Sequence, residues 1–486
     1  MPDLRSSNLR RAKITVPGLI NQGPVSNGFT GFDKGMSALL RVKRVNTLGQ
    51  SKQQRNGRLP AALSQASTSL AAQAPAPASG QPKAMFKGAG MYVHLPFCKS
   101  QCHYCDFPIK VATRNPSRWE HHLDTYFNAL FSELNALIGC SPPLEDSLCT
   151  VNFGGGTPSL VPPERIEELL HSLDATLGIR SDAEIGIEAD PGTFDLHTLE
   201  QYRHLGITRI SLGVQCFDDT MLRAIGRSHS LADVHRAIDA VHASGLEWNL
   251  DLMSSLPHLT EENWEHILAT ALDAAPHHLS LYELQVEEGT AFSRWYTPGE
   301  PPLPSHEESE RMYKYASHRL QRSGYKHYEI SNYCKPGKEC AHNLRYWCNG
   351  DWLALGMGAV SSISGARLTR PSTFEEYVEW ATSLCRGDSR LHQQLPSEED
   401  VLLDEVMLKL RLADGLDLKR FAERFSEDMA RRVERALLPF EREHKARLRR
   451  NESGVAVEAA LTAPDGFIVS NDAISDCFIE LTDFSS

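Results

Sequence analysis

No run of about 18 consecutive apolar residues occurs in the 486-residue chain, which excludes an integral membrane segment of the helical kind. A collagen-like, mucin-like or wholly disordered chain is excluded too, because 41% of the residues are hydrophobic, enough for a sizeable core. There is no internal repeat, and no apolar secretory core followed by a small-residue cleavage site. Eleven cysteines, an odd number in a large chain, fit a reducing compartment better than a disulfide framework. Acidic residues are scarce at one end: residues 1–83 hold only Asp3 and Asp33 against twelve Lys and Arg, a local balance of +10. Of 50 basic and 62 acidic residues overall, the rest holds 38 and 60, so a net charge of −12 hides a body of −22. That acidity speaks against nucleic acid as a partner.

The basic end reads as a separate unit. Residues 64–82, SQASTSLAAQAPAPASGQP, are small, uncharged and too poor in apolar surface to offset their ordering entropy. Upstream lie Arg10, Arg11, Lys13, Arg41, Lys43 and Arg44 among Ser and Asn. An Arg- and Ser-rich, acid-poor N-terminus resembles an organelle transit peptide, plastid or mitochondrial. A disordered extension on a cytoplasmic protein is the alternative. Residues 1–84 are therefore expected to be a disordered, transit-like segment.

From residue 91 onward short apolar runs alternate with helical patterns. Strands are expected at 91–95, 149–153, 184–190, 207–215, 246–253 and 277–284. Helices are expected at 119–138, 162–177, 196–204, between 218 and 243, and at 261–274. Strands alternating with helices predict an α/β fold with a parallel sheet or partial barrel, whose C-terminal strand ends carry the chemistry. After a proline-rich connection at 298–304 come a helix at 307–323, a strand at 325–333 and a Cys/His/aromatic stretch to Trp352. A third region begins at Pro396, with helices at 398–412 and 418–425 and a charged helix to about Arg450. The expected domains are 85–300, 301–395 and 396–486.

Cys98, Cys102 and Cys105 are spaced C-x-x-x-C-x-x-C directly after a strand. Three thiolates on one loop can hold three irons of a 4Fe–4S cluster and leave the fourth iron for an exogenous ligand. Zinc competes, but structural zinc wants four protein ligands and no fourth is adjacent. Three merely structural cysteines are the remaining alternative.

The run YVHLPFCKSQCHYCDF (92–107) resembles the signature of radical S-adenosylmethionine (SAM) enzymes, in the branch of oxygen-independent coproporphyrinogen oxidase and HemW. GGGTPS (154–159), IEADPGT (187–193), GVQCFDD (213–219) and DLMSSLP (251–257) follow successive strands in the order that branch shows. The resemblance covers residues 90–480 and implies a partial (β/α)6 TIM-type barrel with a small C-terminal winged-helix-like domain. It also implies a 4Fe–4S cluster on the three cysteines. Carried over, the SAM contacts are Tyr92, Tyr104, Gly155, Gly156, Thr157, Glu188, Gln215, Arg227 and Asp251. The residue types suit SAM, because glycines let backbone approach a ligand. Carboxylates at strand ends receive ammonium or hydroxyl groups, and a guanidinium pairs a carboxylate.

The same branch implies two functions. One is a heme chaperone resembling HemW, which binds heme and passes it to recipient hemoproteins. The other is the oxidase, which decarboxylates coproporphyrinogen III with a SAM-derived radical and an electron donor. The oxidase pattern adds a fourth cysteine two residues after the third, where this chain has Phe107. His342-Asn343-Leu344-Arg345-Tyr346-Trp347 is similar to the HNxxYW hallmark of HemW, so His342, Tyr346 and Trp347 are candidate heme contacts. Imidazole can ligate iron while flat rings pack on a porphyrin. Structural roles compete at each of the three. No catalytic residue is assigned.

Cys334, Cys340 and Cys348 match no metal spacing and read as structural or free thiols. His277 and His278 point to opposite faces of a strand and read as structural. The 402–418 run LLDEVMLKLRLADGLDL resembles the first helices of the branch's C-terminal module. The 444–459 run HKARLRRNESGVAVEA replaces an expected apolar link, which predicts an irregular or disordered wing. Residues 442–450 read as a solvated helix face, and 461–478 as a turn, short strand and helix.

Overall fold

The computed structural model describes residues 88–140, 146–386 and 395–482, so the transit-like segment expected at 1–84 lies outside the described residues. Six strands run parallel and in chain order: β1 (Gly90–Leu95), β2 (Leu148–Gly155), β3 (Ile179–Ala189), β4 (Arg209–Gln215), β5 (Glu247–Ser254) and β6 (His278–Glu283). Helices connect them, as the alternation of patterns predicted. Beyond β6 the sheet continues through β8 (Asn332–Cys334) and β7 (Lys326–Glu329), both antiparallel. Beyond β1 it continues through β9 (Trp352–Leu355), β10 (Val360–Ile363) and β11 (Ala366–Thr369). The single strand expected at 325–333 is thus two strands folded back on each other.

Local chemistry sets the helix ends. Ser230 and Asp233 form a reciprocal capping box on Leu231–Ser244, and Ser305 and Glu308 do the same for His306–Arg322. Each supplies partners for N–H groups that a helix start leaves unpaired.

Two apolar clusters hold the chain. The first packs β1–β6 against the surrounding helices, with Val93, Leu130, Phe153, Leu169, Leu212 and Trp264 fully or almost fully buried. A buried ion pair crosses it: Arg370 Nε donates to Glu133 Oε1 (2.6 Å), while Tyr377 OH (2.6 Å) and the Gly356 N–H (3.0 Å) donate to Glu133 Oε2. The second cluster gathers Tyr328, Ile330, Leu344 and Trp347 with Val406, Leu437, Phe467 and Ile474 of the terminal region.

That terminal region departs from expectation in two places. The charged helix ends at Arg442, and Ala446–Arg450 is strand β13, antiparallel to β14 (Ala456–Leu461), which also pairs with β12 (Leu416–Asp417). The cause is a period of two: Ala446 and Leu448 are buried while Arg447, Arg449 and Arg450 face solvent. The wing is therefore a regular hairpin. Its turn is held by Asn451 Oδ1, which accepts from the Ser453 and Val455 N–H groups, both at 3.0 Å. Past Leu461, the end of β14, residues 462–478 carry no strand of their own; they form helices Asp465–Ile468 and the start of Ser470–Thr482.

Candidate functional site

The cysteine loop leaves the C-terminal end of β1. Phe97–Cys98 pairs with Lys110–Val111, so the loop closes on itself. His103 fastens it to the neighbouring loop: its N–H donates to Ile225 O (3.0 Å), its Nδ1 to Ala224 O (2.9 Å), and its carbonyl accepts from Phe292 N–H (3.0 Å). Cys98, Cys102 and Cys105 are consequently held half-buried on the wall of a cavity of about 280 Å³.

Most of the expected SAM contacts line that same cavity: Tyr104, Gly155, Gly156, Thr157, Glu188, Gln215, Arg227 and Asp251. Gly156 has no room for a side chain, since a Cβ there would sit 2.6 Å from the Pro96 carbonyl. Gly155, at φ +116°, adopts backbone that only glycine takes readily, and its N–H donates to Glu188 Oε2 (3.1 Å). Gln215 ends β4 on a register shift and at φ 67°, a strained left-handed conformation that turns its side chain toward the cavity. Its Oε1 is buried without a hydrogen-bond partner. Arg227 spans the site: it pairs with Asp190 and donates to Gly213 O (2.7 Å), Tyr104 OH (3.4 Å) and Cys102 Sγ (3.6 Å). Tyr92 is not on the wall. It is buried one layer behind, in hydrogen-bond contact with His94 Nδ1 at 3.2 Å.

Sequence reasoning missed the rest of the lining. Asp190 lies inside the quoted motif 187–193, but its role comes from the pairing with Arg227, which only the fold brings about. Asn249, Ser211, Ser280 and His278 form the inner wall beneath Asp251. Glu283, at the end of β6, also faces the cavity, where burial pushes its carboxyl up to about 7. For Ser211, Asn249, Asp251, His278 and Ser280 the signal available was alternation, with polar residues at every second position of otherwise apolar strands; Glu283 falls out of that phase.

The HNxxYW motif sits at the other end of the strands. His342 N–H (3.0 Å) and Ala341 N–H (3.2 Å) donate to Glu184 of β3, starting the short helix Ala341–Trp347. The His342 ring lies 2.8 Å from Thr150 Oγ1 through Nδ1 and 2.8 Å from Tyr346 OH through Nε2. Thr150 is in register with Gly90 at the start of β1, whereas Gly155 is in register with Leu95 at its end. Five residues of strand at about 3.3 Å each separate the two levels by about 17 Å. His342 is 2% exposed and burial lowers its imidazole to about 3, so the ring is neutral. Tyr346 packs edge-on against Trp352, and Trp347 lies in the second apolar cluster. As folded, the three expected heme contacts are buried plug residues. Only Asn343 of the motif, with Cys340, reaches the cavity floor.

Comparison with known proteins agrees with the fold. The family model of the Radical SAM superfamily matches residues 92–271, and that of the HemN C-terminal domain matches residues 397–458. The heme chaperone HemW of Synechocystis sp. is 38% identical over 400 residues, covering 80% of this chain and 96% of that protein. The heme chaperone HemW of Bacillus subtilis is 33% identical over 341 residues, covering 70% and 87%. The chain belongs to the HemW family of radical SAM proteins. The solved coproporphyrinogen III oxidase HemN of Escherichia coli shares the fold, with a TM-score of 0.67 at 23% identity over 81% of this chain and 90% of that one.

Radical SAM membership implies a 4Fe–4S cluster and SAM, and the residues present fit both. Burial pushes the Cys98 thiol up to about 11 and the Cys105 thiol up to about 12, so a compensating cation is needed for them to ionise. Among the described residues no three His, Cys, Asp or Glu side chains converge on one ion position. The unpartnered Gln215 Oε1 and the glycine backbone leave polar atoms for a ligand with amino and carboxylate groups. No described helix is long and apolar enough to cross a membrane.

Proposed function

We propose that this HemW-like protein holds a 4Fe–4S cluster on Cys98, Cys102 and Cys105, binds SAM beside it, and works as a heme chaperone that delivers heme to hemoproteins. The observation that carries the cofactor reading is the cavity joining the three cysteines to Gly155, Gly156, Thr157, Glu188, Gln215, Arg227 and Asp251. The chaperone reading is supported by the HemW relatives and by Phe107, which lines the cavity where the oxidase pattern has a fourth cysteine. When bound, the reduced cluster supplies an electron to SAM. The chain's own part is to hold and orient: Glu188 and Asp251 receive amino or hydroxyl donors, Arg227 balances charge beside Cys102, and Gly155–Gly156 admit the ligand to the backbone. Tyr92 supports this wall from behind. An external electron donor completes the system.

Heme contact through His342, Tyr346 and Trp347 requires the Ala341–Trp347 helix to leave its seat, because both imidazole nitrogens are already engaged. We read residues 85–300 as the cofactor-holding unit, 301–395 as the extension that closes it, and 396–486 as the terminal domain. Residues 1–84 are read as an organelle address, plastid or mitochondrial, on the strength of their twelve basic and two acidic residues up to position 83.

Anaerobic reconstitution with iron and sulfide analysis tests the cluster, and a protein with intact cysteines that binds none refutes it. Heme titration and transfer to an apo-hemoprotein, run beside incubation with SAM and coproporphyrinogen III, tests the function. Porphyrinogen turnover would replace the chaperone reading with the oxidase.

A further inference from the structure

Beneath the cavity three strands lie in register so that their inward side chains meet: Ser211 of β4 against Asn249 of β5, Asn249 against His278 of β6, and Asp251 against Ser280. The Asn249 amide nitrogen faces three oxygens: Ser211 Oγ (2.6 Å), Asp251 Oδ1 (2.6 Å) and Ser280 Oγ (3.0 Å). The reverse amide orientation would set an acceptor against a carboxylate, so nitrogen must face this side. Asn249 Oδ1 then faces His278 Nδ1 at 2.6 Å and needs a donor, which makes Nδ1 the protonated nitrogen. The other nitrogen, Nε2, accepts from Tyr328 OH at 2.7 Å. Every link therefore runs one way, from Tyr328 through His278 and Asn249 to the Asp251 carboxylate. Burial, with Arg209 nearby, keeps His278 well below the usual imidazole range and so neutral, as this directionality needs.

We propose that His278 is a positioning residue for SAM: acting through Asn249, it fixes the rotation of the Asp251 carboxylate so that the unshared lone pairs of that group face the cavity. The inference rests on the reading of this cavity as a SAM site. It explains why the inward faces of β5 and β6 are polar at a depth where a barrel is ordinarily filled with branched apolar side chains. A carboxylate buried this far is raised by desolvation and lowered by hydrogen bonds from Ser280, Ser211 and Asn249. Without the relay Asp251 would keep only the Ser211 and Ser280 hydroxyls as donors, and any turn away from the ligand would cost affinity without altering the cysteines.

The test uses the reconstituted full chain. Selective 15N-histidine NMR, with the His278 signal assigned by its loss in His278→Leu, is expected to show a protonated Nδ1 and a bare Nε2. The opposite tautomer overturns the relay. Equilibrium SAM binding is expected to weaken about 10-fold in His278→Leu and to recover to within about 3-fold in His278→Asn, whose amide restores the Nδ1 donor. Iron content should be unchanged in both. Tyr328→Phe, which removes one oxygen away from the cavity, should weaken SAM several-fold and covers the case in which His278→Leu fails to fold. SAM affinity within twofold of wild type in Tyr328→Phe or in a folded His278→Leu refutes the positioning role. If wild type binds no SAM while the tautomer is as stated, the functional reading fails, and the positioning role with it, but the relay geometry survives.

Discussion

Replacing His342 separates a structural plug from a heme ligand. His342→Asn keeps an amide near the Nδ1 position opposite Thr150, but it leaves the Tyr346 hydroxyl, in a residue 5% exposed, without its imidazole partner. Loss of that buried hydrogen bond costs about 0.5–1.5 kcal/mol, and the lost ring atoms leave a void, so about 2–3 kcal/mol is expected at pH 7. The pH dependence is sharper. The folded imidazole is lowered to about 3 from 6.5, so the unfolded state binds the extra proton between those values. Stability from this group is therefore complete above pH 6.5 and declines as pH falls toward 3. At pH 5 the loss in wild type is about 2 kcal/mol relative to pH 7, and the asparagine variant lacks it. The gap between the two proteins, read from urea unfolding at each pH, should narrow by that amount. Heme titration should be unchanged. A gap that does not move with pH refutes the buried neutral imidazole. Loss of stoichiometric heme in a variant as stable as wild type would make His342 a ligand instead.

Three further outcomes follow from packing. Glu133→Ala strands the fully buried Arg370 guanidinium and should lower stability by about 3–5 kcal/mol by denaturant titration, while Glu133→Ala with Arg370→Met should recover part of it. Gly156→Ala drives a Cβ into the Pro96 carbonyl, so iron retention and SAM affinity should both fall; wild-type values would show that the backbone is not held close there. In the terminal hairpin, Leu448→Asp should cost more than about 2 kcal/mol, and Arg447→Asp less than about 0.5 kcal/mol. Equal effects would contradict the period-two reading of that segment.

The six parallel strands are legible in the sequence because each is a short apolar run bounded by a helical pattern, the arrangement that βαβ units impose. The cysteine loop is legible from spacing alone, since loops after strands carry chemistry. What is not legible escapes for one physical reason: long-range burial decides it. The charge of residues 442–450 suggests a solvated helix, whereas Ala446 and Leu448, alternating with arginines, set the structure through burial. The chemistry of His342 suggests a ligand, whereas its partners Thr150 and Glu184 lie far away in sequence and are brought to it only by the strand register.

The same register explains why the two ends of the barrel differ. Strands covered by helices on the outside are expected to be apolar on both faces unless the inside holds something polar. Here Asn152, Glu188, Ser211, Asn249, Asp251, His278 and Ser280 all turn inward and line one cavity. Buried polar groups of this kind are tolerated only when paired, and a half-satisfied network costs more than an apolar core. Toward the floor the pairing is internal, supplied by Asn249, His278, Tyr328 and the plug helix. Toward the cysteine loop it is incomplete, ending on the buried Gln215 Oε1. A ligand entering beside the cysteines would supply a partner for Gln215 Oε1, so ligand binding should stabilise the mouth and leave the hydrogen-bonded wall of Asn249 and His278 unchanged in hydrogen exchange.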